Sequence, residues 1–153
     1  MNAAAFSTVQ SAAAGTPKPE FPILSFDGST DEGRIWSARV PRGYGGTLVL
    51  AGMCYSTGTT GSGVFVGQIA ANSDGDVVGT AKAYAAANAG TFTIPTTAYN
   101  WKAFNITLST ADSIAAGDWC NIAVWRNGSG AGDTVNGIDI NVTLLDAYFT
   151  LAA

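Results

Sequence analysis

From Ile23 onward, apolar and polar positions alternate with a period of two in run after run, separated by clusters of Gly, Ser, Asn and Asp. Such alternation predicts half-buried strands, and the clusters predict the turns between them. Residues 23–26 (ILSF) open the series. In residues 34–40 (RIWSARV), Ile35, Ser37 and Arg39 fall on one face and Trp36, Ala38 and Val40 on the other. Pro41 ends that strand and RGYGG supplies a turn. Residues 47–55 (TLVLAGMCY) are apolar on both faces, as in a strand covered from both sides. Residues 64–70 (VFVGQIA) follow the loop STGTTGSG, and mid-strand Gly52 and Gly67 predict bulges or close approach of neighbours.

The middle is ambiguous: residues 77–90 (VVGTAKAYAAANAG) fit a short helix on alanine propensity or a strand with a ragged loop. A strand over TFTIP ends at Pro95. Residues 102–109 point Phe104, Ile106 and Leu108 one way and Ala103, Asn105 and Thr107 the other. In residues 119–126 (WCNIAVWR), Cys120, Ile122 and Val124 share one face, while Trp119 and Trp125 share the other with Asn121 and Ala123. The last run changes phase, from Ile138, Ile140, Val142 and Leu144 to Leu145, Ala147, Phe149 and Leu151. One strand does this only through a bulge or through a corner that carries it between two packed sheets.

These elements predict an all-β chain, an antiparallel β-sandwich or jelly roll of about eight strands. Residues 1–22 read instead as an extended N-terminal arm, with residues 23–153 as the domain. In the arm Pro17, Pro19 and Pro22 oppose helix, and Phe6, Val9, Phe21 and Ile23 give it apolar surface to bury on its own domain or on another subunit. The N-terminus lacks a basic segment and a continuous apolar one, and no run approaches a membrane helix, so the expectation is a soluble protein made in a cytoplasm.

Composition narrows the chemistry. Charged residues are 12 % of the 153, against about 25 % in ordinary domains, so Ser, Thr, Asn and Gly must supply the polar surface. The net charge of −4 argues against nucleic acid as a partner. Histidine is absent, which removes the commonest general base and metal ligand, so neither catalytic residues nor a cofactor are expected. Cys54 and Cys120 read as buried thiols or as a disulfide between adjacent strands. Asp27, Asp31 and Glu32, and likewise Asp74 and Asp76, suit Asx turns or a weak calcium site. Asp139 and Asp146 are expected to face solvent or to guard a sheet edge.

Three of the four arginines, Arg34, Arg39 and Arg42, lie within nine positions. They are either surface groups bonding to nearby carbonyls and carboxylates or, with Tyr44, a docking edge for an acidic neighbour. Trp36, Trp119 and Trp125, being on strands, are expected in the core or an interface. Tyr99 and Trp101, in TTAYNWK, are the aromatics expected to be exposed.

The runs W-x-A-R-V-P-x-x-Y-G-G-T-L-V-L (36–50), TTGSGVFVGQIA, ADSIAAGDWCNIAVWR (111–126) and DTVNGIDINVTLLDAYFTL together resemble the jelly-roll structural proteins of tailed bacteriophage virions, of the capsid cement or decoration type. The resemblance spans residues 23–151. It implies a homotrimer on the capsid exterior, bound to the major capsid protein, whose arm clamps neighbouring coat subunits. The contact residues it implies are Phe6, Val9, Pro17 and Phe21 in the arm, with Arg34, Arg39, Arg42 and Tyr44 as a docking edge. The alternative is a receptor- or glycan-binding domain of a tail fibre or spike, with Tyr99, Trp101 and the loop NGSGAGDTVNG (127–137) as its binding face. A hydrolase has little acid–base equipment to draw on.

Overall fold

The computed structural model describes residues 2–10, 20–76, 83–109 and 111–152. Its described residues form ten strands and no helix: β1 (Asn2–Ala3), β2 (Ala5–Gln10), β3 (Glu20–Phe26), β4 (Glu32–Arg39), β5 (Tyr44–Ser56), β6 (Ser62–Asn72), β7 (Asn88–Thr93), β8 (Lys102–Leu108), β9 (Trp119–Arg126) and β10 (Ile140–Leu151). They make two five-stranded sheets, ordered β1-β4-β9-β6-β7 and β2-β3-β10-β5-β8. Every pairing is antiparallel except the short β1–β4 contact. The expected β-sandwich of jelly-roll type is therefore present, with more strands than alternation alone marked out.

The additional strands lie in the N-terminal segment. Residues 2–3 pair with β4 and residues 5–10 pair with β3, so the described part of the expected arm docks on its own domain. Buried Ala4 is the crossing point between the sheets, and the Arg34 guanidinium donates to its carbonyl. The boundary expected at residue 22 falls inside β3. Pro17 and Pro19 lie outside the described residues, whereas Pro22 acts within β3. Pairing of β3 with β10 is confined to residues 24–26, and lacking an N–H, Pro22 cannot extend that ladder.

The alternations predicted on β4, β8 and β9 are those observed. Ile35, Ser37 and Arg39 are exposed, and Phe104, Ile106, Leu108, Cys120, Ile122 and Val124 are buried. At the centre Phe65 stacks on Phe92 and Phe104, with ring centroids 5.7 and 4.7 Å away, and meets Phe26 edge-on at 5.1 Å. Gly67 serves the predicted close approach: a Cβ there would lie 2.6 Å from Leu50 Cδ1 of the facing sheet. Both cysteines are free and buried, and burial pushes the Cys54 thiol up to about 12.

Two expectations resolve further. The phase switch in β10 is a bulge, not a corner. The register with β5 shifts between Thr143 and Asp146, yet β10 stays beside β5 from Ile140 to Leu151. Leu145, Ala147 and Phe149 thereby regain the core side that Ile140 and Val142 occupy before the shift; the side chain of Leu144 lies outside the described residues. The ambiguous stretch falls partly at 77–82, outside the described residues; residues 83–87 are irregular, and β7 begins at Asn88.

Arg126, the last residue of β9, is fully buried, and all five of its guanidinium donors are used. Nε and one terminal nitrogen bind the two Asp133 carboxylate oxygens, each at 2.8 Å. The remaining donors reach the carbonyls of Val135 (2.9 Å), Phe26 (3.2 Å) and Ile138 (2.6 Å). Asp133 also accepts from the backbone N–H groups of Val64 and Val135, each at 3.2 Å. Removing one partner strands the other charge in the interior. Asp133→Ala is expected to lower the unfolding free energy by about 3–5 kcal/mol, read from urea midpoints. Arg126→Lys, with three donors for five acceptors, should be destabilised in the same direction.

Candidate functional site

Four aromatic side chains from three segments meet beside the 94–101 connection. Pro95 follows β7, and the chain turns through Ala98 and Tyr99 before β8 begins. Tyr99 has φ of 64°, an unusual conformation for a bulky residue, and its N–H donates to the Ser56 carbonyl at 2.9 Å. Tyr99 is 66 % and Trp101 41 % exposed. Tyr55, on the outer face of β5, is buried beneath them. Its ring meets Trp101 edge-on at 5.1 Å and lies 6.1 Å from that of Tyr99. Phe21 of β3 packs edge-on against Trp101 at 5.7 Å. Burial, with Tyr99 adding a smaller effect, raises the pKa of the Tyr55 hydroxyl.

Trp101 is held edge-on by Phe21 and Tyr55 and Tyr99 lies tilted over Tyr55, and both Tyr99 and Trp101 keep apolar area open to solvent. The loop 127–137 reaches the same end of the sandwich: Ser56 Oγ donates to the Asp139 carbonyl at 3.1 Å, and Gly58 sits against Ile138 and Val135. The two residues expected as exposed aromatics are thus brought together, with Phe21 and Tyr55 beside them. Phe21 comes from the segment expected as an arm. Tyr55 lies in the strand expected to be apolar on both faces, and its position alternate to Cys54 is the signal that it points outward.

The other expected contacts separate. Phe6 is exposed on β2 and Val9 half-buried, while Pro17 lies outside the described residues. Arg34 binds the Ala4 carbonyl, Arg39 reaches the Gly117 carbonyl at 3.4 Å, and Arg42 is exposed in the turn. Five strand residues, about 17 Å, separate Arg34 from Arg39. Tyr44 is an internal residue: its ring packs on Phe149 at 5.9 Å, and its buried hydroxyl has no partner among the described residues.

Of the three strand tryptophans, only Trp36 turns toward the core. Trp125 is half-buried and Trp119 57 % exposed, both on the outer face of the first sheet, so of the expectation of core or interface these two do not meet the core part. Asp146 is exposed in the β10 bulge, where β10 has β5 as its one neighbour among the described residues, so it stands at a local sheet edge. Asp139 is exposed just before β10 and accepts from Ser25.

The acidic turns are hydrogen-bonded as turns. Asp27 Oδ1 accepts from the backbone N–H and hydroxyl groups of both Ser29 and Thr30, at 2.7–3.2 Å. Asp31 accepts from Ser129, and Asp76 from the Ser73 N–H. No group of three or more His, Cys, Asp or Glu gathers among the described residues.

Compared with family models and with curated proteins, the chain matches none. Among solved structures it is similar to the arabinose-bound α-L-arabinofuranosidase MgGH51, at 16 % identity and a TM-score of 0.53, over 97 % of this chain but only 22 % of that one. It is also similar to a "Family 16 Carbohydrate Binding Module-2" (18 % identity, TM-score 0.49, 95 % of this chain and 86 % of that one). A third is the CBM22-2 xylan-binding domain of Paenibacillus barcinonensis Xyn10C, at 14 % identity and a TM-score of 0.44, over 95 % of this chain and 88 % of that one. At these identities the likeness is one of fold.

The Asp27 turn has a pH signature. Its hydrogen bonds, those from Ser29 foremost, hold the carboxyl down at about 2 from an ordinary 3.8. A depressed folded-state pKa contributes stability above the unfolded value and loses it as pH falls through the folded one. The stability difference between the parent and Asp27→Asn is therefore expected to be constant from pH 5 to 7 and to shrink between about pH 4 and 2. Urea unfolding across that range measures it; a difference independent of pH would contradict the turn's charge dependence.

Proposed function

We propose that the chain is a non-catalytic glycan-binding β-sandwich that presents Tyr99 and Trp101 to the apolar C–H face of a sugar. The observation that carries this reading is the exposed pair itself. A bulky residue is held in a left-handed conformation so that two rings stand open to solvent over the buried Tyr55. Backbone outliers of that kind are retained where the surroundings over-determine them, and binding surfaces are among the places they collect. The charge-poor polar surface suits a neutral polyhydroxylated ligand better than a charged one. With the resemblance to virion jelly rolls, the form this takes is a receptor-binding domain of a phage tail fibre or spike.

The capsid-decoration reading draws on a reaching arm. Over residues 2–10 that segment is tied into both sheets of its own sandwich, so the described part is not available as a clamp. The glycan reading needs no such segment.

Retention in affinity gels containing soluble polysaccharides, alongside a glycan array, tests the proposal. Tyr99→Ala and Trp101→Ala should each weaken binding of a retained glycan about 10- to 100-fold, as expected from withdrawing ~1.5–3 kcal/mol of aromatic contact. Their urea midpoints should stay near that of the parent. Failure of the parent to bind any glycan, or binding unchanged in both variants, would overturn the reading.

A further inference from the structure

The outer face of the first sheet carries a cleft that the Tyr99–Trp101 cluster does not touch. Its base is a row across the strands set by register: Ile35 of β4 lies opposite Ala123 of β9, which lies opposite Gln68 of β6. The segment after residue 82 continues that row, because the Ala85 N–H donates to the Ile69 carbonyl at 2.8 Å and Gln68 Nε2 donates to the Ala85 carbonyl at 2.9 Å. These two bonds hold half-buried Tyr84 beside Gln68. Ala123 is the small residue of the row, so the cleft deepens over it between Ile35 and Tyr84. Trp125 and Asp31 close the cleft on the side toward the β3–β4 turn.

We propose that this cleft is a second binding site, for one or two units of a neutral saccharide chain. Its volume of about 310 Å³ reaches the lower range of small-ligand sites, and its mostly apolar lining with a few polar groups is the composition such sites have. Trp125 and Tyr84 offer ring surface. Gln68 has its amide N–H committed to Ala85, leaving Oε1 as an acceptor for a ligand hydroxyl, and Asp31 is a second acceptor. Among the described residues no cation lines the cleft, which disfavours phosphate or other anions. A lone carboxylate that already accepts from Ser129 is too few oxygens for a hard cation.

The face beyond continues the same chemistry. The next row holds Ser37 and Asn121, joined by a 2.7 Å hydrogen bond, and the row after it sets Arg39 and Asn72 on either side of Trp119. Trp119 and Trp125 stand six residues apart on one face of β9, about 20 Å, with Ser37, Asn121 and Gln68 and the apolar Ile35, Ala123 and Ala70 between them. That spacing favours an extended chain over a single sugar. The site stands independently of the Tyr99–Trp101 reading.

The test is a titration of the full ¹⁵N-labelled chain with soluble xylan, arabinan and mixed-linkage β-glucan fragments, following the tryptophan indole N–H signals. Trp125→Phe and Trp101→Phe assign the two signals that report the two sites. A saccharide in the cleft should shift the Trp125 signal. Ala123→Leu, which fills the base, should abolish that response or weaken it at least tenfold while any Trp101 response persists. Ile35→Ala, at a wall residue 58 % exposed and thus tolerant of change, should weaken it several-fold and serves if Ala123→Leu does not fold. A Trp125 signal indifferent to every fragment, or a response unaltered in the filled variant, would overturn the second site whatever Trp101 does.

Discussion

The bidentate pairing of Arg126 with Asp133 is the constraint on which the loop end of this sandwich depends. Residues 127–139 contain no strand or helix, so their carbonyls have no ladder to join, and a loop of that kind is usually left to water. Here a single guanidinium collects the carbonyls of Val135 and Ile138 together with that of Phe26 at the end of β3, and Asp133 balances its charge. One ion pair therefore ties β9 of the first sheet to β3 of the second. Through the Val64 N–H it also reaches β6. Its Coulombic gain is offset by desolvation, so its contribution is geometric as much as energetic: it selects one loop conformation out of many.

That geometry is passed to the exposed aromatics by short steps. Ile138 is held by Arg126, and the next residue, Asp139, accepts from the Ser56 hydroxyl. The Ser56 carbonyl in turn holds the Tyr99 N–H in its left-handed turn. Tyr55, one residue before Ser56, is the ring on which Trp101 stands. The aromatic end face is accordingly built on strand ends and hydrogen-bonded turns, the kind of support that keeps a binding surface in one shape before a ligand arrives.

Legibility followed the strength of each local pattern. Strands with a buried face and an open one, such as β4, β8 and β9, were readable because alternation is the direct record of one-sided burial. The β10 bulge was readable for the same reason, since a phase switch in an otherwise strict alternation has few physical causes. β1 and β2 were not: Asn2, Ala3 and residues 5–8 are exposed and Val9 half-buried, and their strand character comes from backbone pairing with β4 and β3. The buried pair leaves one signal in the sequence: Arg126 closes an apolar strand, and Asp133 follows seven residues on in a charge-poor chain. Tyr99 and Trp101 were legible as exposed because they lie in a turn-rich stretch after a proline. Their contact with Phe21 and Tyr55 was not, being set by the fold of distant segments.

The tryptophans of β9 show why strand membership alone is a poor guide to burial. A strand in a two-layer sandwich has one face in the core, and on β9 that face is fully taken by Cys120, Ile122 and Val124. Alternation then obliges Trp119 and Trp125 to face outward, where there is no third layer among the described residues. A large ring on such a face is covered only in part, by its neighbours on the same sheet: Trp125 has Gly33 and Val66 across from it, whereas Trp119 has Arg39 and Asn72. The difference in their exposure follows from those partners, apolar in one case and polar in the other. Between the two tryptophans the register places Ser37, Asn121 and Ala70 and then Ile35, Ala123 and Gln68, so the face mixes polar and apolar groups from row to row.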